Sequence, residues 1–289
     1  MIKVIIAVVV VGIVFALMEN ARELSRFKTV HYQIVSPKLS GLYGEKKLIH
    51  LSDLHDKCYG TDNEPLLRAI RKEQPDLILI SGDMLVGVVG GTYQNAVKLM
   101  EKLTKIAPVY YTNGNHEQRL KERTAKYGDV YAGYKKSLES ADVTFLENER
   151  AELMLDDCKV TLYGLEIPLK CYERFEENPL GVQCIKECIG APDSESYNIL
   201  LAHNPMYFED YKEWGADLVL AGHLHGGVIR IPGIGGLISP QAALIPKYSG
   251  ELTKEDGSYM SLSKGLGTHT VNLRMFNPAE LIVLHLRAE

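Results

Sequence analysis

The sequence predicts an α/β protein: two sheets packed face to face, helices on their outer sides, and a membrane-crossing helix ahead of them. Three observations lead there. Short apolar runs alternate with amphipathic segments in the first half of the chain, and short consecutive strands with glycine turns fill the second. An unbroken apolar stretch, Val4–Met18, lies at the start. Several of the apolar runs are followed almost at once by Asp, Asn or His, the habit of strands that deliver side chains to one site from their carboxyl ends.

Val4–Met18 carries no polar side chain, and Ile2 and Lys3 extend it if the lysine snorkels. As a helix it spans roughly 22–25 Å, a little short of a ~30 Å hydrocarbon core. Residues 1–20 therefore read as a single-pass anchor. The competing readings are a signal peptide cut after Ala16, which lacks a polar region before the cut, and a buried core helix, which would carry a polar face. Lys3 on one side, and Arg22, Arg26 and Lys28 on the other, lean toward a cytoplasmic catalytic part. Residues 21–45 read as a short polar helix and an extended linker, and residues 46–289 as one catalytic domain.

Within that domain a strand is expected at Lys47–Ser52, a helix at Asn63–Glu73, a strand at Leu77–Ile80 and a helix at Tyr93–Lys105. In the last, Ala96, Leu99, Met100 and Leu103 have i, i+3, i+4, i+7 spacing. A strand at Val109–Thr112 and helical segments across Glu117–Ser140 follow. Glu149–Leu155 and Lys159–Tyr163 read as a hairpin around Asp156-Asp157. Leu169–Asp193 is a polar, partly helical insertion. Strands resume at Asn198–Leu201 and Leu218–Leu220, and the remainder is β-rich.

A net charge of −5 and a pI near 6.0 provide no basic footprint, so nucleic acid is not an expected partner. Five cysteines, an odd number, read as mostly reduced structural thiols, with Cys171 able to pair with Cys184 or Cys188.

The chemistry lies in an ordered series: Asp53-Leu54-His55, Gly82-Asp83, Gly114-Asn115-His116, Ala202-His203 and Gly222-His223-Leu224-His225. In D-x-H and H-x-H the outer residues share one side of an extended segment, so each pair can grip one ion or two adjacent ions. Carboxylate, amide oxygen and imidazole without thiolate suit Mn, Fe or Zn in an open site. Seven ligands (Asp53, His55, Asp83, Asn115, His203, His223 and His225) exceed one tetrahedral set, so two divalent ions are expected, with Asp83 as the bridge.

This series resembles the calcineurin-like metallophosphoesterases, and the tail with Gly265-Leu266-Gly267, Arg274 and Pro278-Ala279-Glu280-Leu281 looks like their membrane-associated bacterial phosphodiesterase branch. The resemblance implies a four-layer αββα sandwich. It puts Asp53, His55, Asp83 and His225 on one metal, and Asp83, Asn115, His203 and His223 on the other. His116 would face the leaving-group oxygen. The implied function is a membrane-anchored phosphoesterase that cleaves a phosphodiester or pyrophosphate bond by attack of a metal-bridging hydroxide. A pyrophosphohydrolase directed at a nucleotide-linked or phosphorylated lipid is the second reading, and a noncatalytic scaffold on the same fold the third. The branch includes exported proteins, so the side of the membrane stays open.

Other residues have plainer expectations. His31 and His285 read as surface or strand residues, and His50 as pointing away from Asp53 or into the sheet. Trp214 reads as structural and Cys58 as a spectator. Tyr59 or Tyr93 could touch substrate, and His269 could approach the site edge.

Overall fold

The computed structural model describes residues 1–173, 178–227, 230–231, 235–236, 247–268 and 272–289. The elements follow in chain order: α1 (Ile2–Ser25), β1 (Phe27–Val35), β2 (Lys46–Leu51), α2 (Glu64–Glu73), β3 (Leu77–Ile80), α3 (Gln94–Leu103), β4 (Val109–Tyr111) and α4 (Asn115–Glu122). Next come α5 (Thr124–Tyr127), α6 (Val130–Glu139), β5 (Val143–Phe145), β6 (Glu149–Leu155), β7 (Cys158–Leu165), α7 (Val182–Ile189) and β8 (Tyr197–Ala202). The chain closes with α8 (Phe208–Trp214), β9 (Leu218–Ala221), β10 (Arg230–Ile231), β11 (Gly235–Gly236), β12 (Glu251–Glu255), β13 (Ser258–Leu262) and β14 (Ala279–Arg287).

Two mixed six-stranded sheets carry the fold, in the orders β1-β14-β2-β3-β4-β5 and β12-β13-β9-β8-β7-β6. Strand alternation makes three apolar layers from them. Leu48, Leu77, Leu79, Ile199, Leu201, Leu218, Leu220, Ile282 and Leu284 fill the space between the sheets. Ile49, Leu51, Ile78 and Ile80 face outward onto Leu66, Leu67 and Ile70 of α2 and Leu99 and Leu103 of α3. Leu200, Val219 and Met260 face the other way, onto Ile185 of α7 and Phe208 and Trp214 of α8. Helix, sheet, sheet and helix thus form four layers.

The carboxyl ends of the parallel strands β2, β3 and β4, and of β8 and β9, open at one end of the sandwich, the metal end hereafter. The C-terminal strand β14 inserts antiparallel to β2, so its amino end also lies there.

One expectation is corrected. Residues 21–45 are not a linker, because β1 pairs with β14 along its whole length, Phe27 with Ala279 through Val35 with Arg287. Tyr32 and Ile34 alternate inward, and Ile34 is fully buried between the sheets. The run is too polar on its outer side for its strand character to stand out, yet it covers an edge that β14 would otherwise expose. The polar helix expected after residue 19 is the continuation of α1.

Candidate metal centre

All the predicted residues reach the metal end, and five of them do so through backbone that side-chain-bearing residues rarely adopt. Asp53 (φ 52°), His55 (φ 51°), Asp83 (φ 55°), His223 (φ 69°) and His225 (φ 49°) are left-handed. The same-side argument from an extended D-x-H or H-x-H segment therefore does not hold. Tight left-handed bends just beyond the strand ends turn these side chains toward one point. The bends are laced together: Asp53 N–H donates to Gly82 O (3.0 Å), His55 N–H to Asp83 O (3.1 Å), and Gly222 N–H to His203 O (3.0 Å). The neighbouring glycines are needed for space, since a Cβ on Gly114 would overlap the Asp83 carboxylate and one on Gly222 the Asp53 carboxylate.

Three overlapping groups result: Asp53, His55 and His225; His55, Asp83 and His116; and Asp83, His203 and His223. Within each, the ligand atoms lie within 4.8 Å of one another. Asp83 and His55 are shared. Asp53 Oδ1 is 3.2 Å from His225 Nε2, and Asp83 Oδ2 is 3.1 Å from His203 Nε2. Asn115 opens α4, between Gly114 and His116. The backbone N–H of His116 donates to Asp83 Oδ1 (2.8 Å), so Asp83 also caps this helix.

Backbone groups set the imidazole tautomers. His203 Nδ1 faces Ser81 O at 2.6 Å and His55 Nδ1 faces Leu85 O at 3.3 Å. A carbonyl only accepts, so both rings carry hydrogen on Nδ1 and turn Nε2 toward the centre, the nitrogen that can bind a metal once any proton on it is displaced. His116 is set the opposite way. Its Nδ1 accepts from the backbone N–H of Gly87 (2.8 Å), which leaves Nε2–H pointing into the site, 3.9 Å from Asp83 Oδ2.

The electrostatics suit a cation. Burial opposes ionisation of Asp53 and Asp83, but the surrounding histidines, His225 and His203 around Asp53 and His203 and His116 around Asp83, hold both carboxyls low. Burial also disfavours charge on His203, yet the carboxylates of Asp83 and then Asp53 outweigh it and raise the group to about 10. Burial, with His203 adding repulsion, pushes His223 down to about 3. His203 thus holds its proton between two carboxylates in a dry site, the place a metal cation would take. Among the described residues, His223 Nε2 and Asn115 Oδ1 are buried without a hydrogen-bond partner. Oxygen and nitrogen donors of this kind fit divalent metal ions.

Several residues that support the site have no structural role assigned from the sequence, although Arg274 and Gly265-Leu266-Gly267 stand out in the tail. Glu117 is fully buried, and its carboxylate accepts from the N–H groups of Asp83 (2.9 Å), Met84 (2.8 Å) and Gly114 (3.0 Å) and from Tyr111 O–H (2.8 Å). Burial, then the Asp83 charge, push it up to about 7. Its position, three residues after the N-cap Gly114, is the one from which a glutamate reaches back to the N-cap N–H, and could have flagged it, although glycine has no side chain to complete a capping box. Arg274 is buried and donates to the carbonyls of Lys264, Gly265 and Gly267. A Cβ on Gly265 would lie 2.8 Å from Asp53 Cβ and 3.0 Å from His225 Nδ1, so this loop backs directly on two predicted ligands. Asn277 donates to His225 O and Gly227 O, both at 2.7 Å. Tyr172, from the insertion, packs edge-on to His223 with 5.1 Å between ring centres.

The plainer residues fall into place. Tyr59 is buried and donates to Leu266 O, while Tyr93 packs on Tyr134, so both serve the scaffold. His50 points between the sheets to Ser261 Oγ (3.0 Å) and Ser81 Oγ (2.8 Å). His31 and His285 meet across β1 and β14 at 2.9 Å. Cys58 donates to Gly60 O and Trp214 to Gly190 O. His269 lies outside the described residues.

Known proteins resemble this chain in sequence and fold. YkoQ of Bacillus subtilis, an uncharacterized metallophosphoesterase, is 27% identical over 83% of this chain and 84% of its own length. The phosphodiesterase YaeI of Escherichia coli is 25% identical over 83% of this chain and 82% of its own. A solved Staphylococcus aureus structure, a nucleotidase candidate bound to alpha-ketoglutarate, shares the fold with a TM-score of 0.50 at 14% identity, covering 78% of this chain and 49% of that one. The family model described as calcineurin-like phosphoesterase matches residues 46–227, from β2 through the last predicted ligand loop. With more than half of its length so matched, the chain belongs to the calcineurin-like phosphoesterase family and is a metal-dependent phosphoester hydrolase.

Proposed function

We propose that the protein is a membrane-anchored phosphoesterase working with two divalent ions on a phosphodiester or pyrophosphate bond. The observation that supports this most is the opposed setting of the imidazoles: His55 and His203 are held through Nδ1 by carbonyls and turn to the centre the nitrogen a metal would take, whereas His116 is held through Nδ1 by an N–H and turns there the nitrogen that carries hydrogen. A site built only to hold metal has no use for the second arrangement.

In this reading Asp53, His55, Asp83 and His225 would hold one ion, and Asp83, Asn115, His203 and His223 the other. The bound metal would supply Lewis-acid polarisation of the phosphoryl group and a water of lowered pKa. The chain's own residues do the rest. Asp83 and Asp53 keep their charge in the dry site and so fix where positive charge sits. Gly87 N–H holds the His116 ring so that Nε2–H faces the leaving oxygen and donates a hydrogen bond as charge grows there. Burial lowers the His116 pKa, which keeps the ring neutral with hydrogen on that nitrogen. A diester is favoured over a monoester by the YaeI relative, a phosphodiesterase.

The test uses the full chain in detergent micelles, because a cut at Lys46 would remove β1 from its sheet. Bis-p-nitrophenyl phosphate should be hydrolysed with added Mn²⁺, with loss of turnover in chelator and recovery on metal return. No turnover with Mn²⁺, Fe²⁺, Zn²⁺, Co²⁺ or Mg²⁺ would overturn the reading.

A further inference from the structure

We propose that the metal end of the sandwich lies against the bilayer that holds α1, and that the substrate is a lipid carrying its phosphodiester or pyrophosphate group at headgroup depth. This rests on the phosphoesterase reading above and deepens it.

The first argument is topological. β2 delivers Asp53 at its carboxyl end, β14 runs antiparallel to β2, and β1 runs parallel to β14. The amino end of β1 is therefore at the metal end, and α1, which stops with only Arg26 between it and β1, leaves the sandwich there.

The second argument is the joint. Glu19 and Glu23 are buried, Asn20 Nδ2 donates to Asn272 O (3.2 Å), and Arg274 N–H donates to Asn20 Oδ1 (2.8 Å). Arg274 in turn clamps the Gly265–Gly267 loop that backs on Asp53 and His225. The last two turns of α1 are thus tied to the predicted ligands through one side chain.

The rest of the helix has no cover. Only 6% of its most apolar window is buried, and from Ile2 to Met18 every residue is exposed except Ala16, which is half-buried. A helix docking into a protein groove would keep a polar side, whereas this one is apolar around its whole circumference, which suits lipid. Glu19–Ser25 spans about 10 Å at about 1.5 Å per residue, so the hydrocarbon begins within about that distance of the joint.

The rim supplies a separate observation. Val88 (50% exposed) and Val89 (69%) sit on the loop after Asp83, whose Gly87 holds His116. Met206 follows His203 by three residues, and Phe276 adjoins Asn277, which holds the His225 loop. All four are exposed apolar side chains on loops that carry or brace predicted ligands. Val35, Tyr43 and Met154 are exposed toward the opposite end, scattered on separate elements, and provide controls.

Hydrolysis of such a lipid adds one water across the P–O bond. The water oxygen joins phosphorus, the bond to the leaving oxygen breaks, and one proton ends on that oxygen.

Two measurements on the full chain in phosphatidylcholine vesicles decide the matter. In the first, Val89→Trp and Met154→Trp are compared in vesicles with brominated and ordinary acyl chains; the native Trp214 is buried. Emission from Val89→Trp should fall by about half, as expected for a side chain about 5–10 Å into the interface, and that from Met154→Trp should match the wild type. Equal emission from Val89→Trp in both vesicle types would overturn the placement. In the second, a Gly-Ser insert of about twenty residues, with a reach of about 25 Å, is placed between Ser25 and Arg26. Turnover of a vesicle-borne diacylglyceryl p-nitrophenyl phosphodiester should drop roughly tenfold or more as effective concentration is lost, while soluble bis-p-nitrophenyl phosphate is cleaved as before. An unchanged ratio of the two rates would overturn the lipid assignment. Hydrolysis of neither ester by the wild type would remove the phosphoesterase reading and the lipid substrate together, and the quenching would still decide which end faces the bilayer.

Discussion

At the residue scale, the donor of one hydrogen bond separates His116 from its neighbours. Gly87 N–H fills His116 Nδ1, whereas Ser81 O and Leu85 O engage Nδ1 of His203 and His55. The proposed roles should separate in the same way. His116→Ala should retain its metal and lose roughly 10²–10⁴ in turnover, with a smaller loss for nitrophenolate than for an alkoxide leaving group. Asp83→Asn removes a charge that two cations share, so metal content and activity should fall together. Metal analysis beside turnover on paired leaving groups checks both. Stripped metal in His116→Ala, or one uniform defect across leaving groups, would end the donor assignment.

At the element scale, the site depends on how closely α4 approaches the Asp83 loop. Glu117 satisfies N–H groups on both, and Gly114 allows the contact because it has no side chain. Its φ of −92° is open to any residue, so space, and not backbone strain, requires glycine here. Gly114→Ala should push the Asp83 carboxylate aside, lower metal content tenfold or more, and cost about 1–3 kcal/mol, the usual range for overpacking. Metal stoichiometry and urea unfolding of the purified variant measure this. Full metal content in a stable Gly114→Ala protein would mean that Asp83 has room to move.

At the scale of the whole molecule, His50 joins the two sheets through Ser261 of β13 and Ser81 beyond β3. Burial holds its pKa down to about 3, against about 6.5 when unfolded. The folded state therefore takes up this proton less readily than the unfolded chain. The stabilisation from a neutral His50 is complete above about pH 6.5 and is lost as pH falls from there toward 3. Between pH 7 and pH 5 the loss is about 2 kcal/mol at 1.36 kcal/mol per pKa unit. Urea unfolding of metal-free protein should show His50→Gln losing about 2 kcal/mol less than the wild type over that interval; the other buried histidines titrate alike in both. Equal losses would show that His50 does not couple folding to protons.

The sequence by itself determined the residue types of the candidate centre, their order and the strands that present them. A short apolar run and the position of a residue just after it are local properties, and Leu48–Leu51, Leu77–Ile80 and Leu218–Leu220 show both. It also made the apolar half of α1 plain. Only the tertiary structure decided how those residues converge. Asp53, His55, Asp83, His223 and His225 turn inward on left-handed backbone that no local preference would select, and inter-strand bonds and glycine-sized gaps hold them there. Glu117, Arg274 and Asn277 bond mainly to backbone groups of other loops, so what they brace is a long-range matter even where, as for Glu117 and Arg274, the sequence draws notice to the position. β1 was hidden for the same reason: Phe27–Val35 becomes a strand by pairing with β14, more than 250 residues away in sequence. Such pairing is a long-range contact, and the local pattern of a half-exposed edge strand is too weak to announce it.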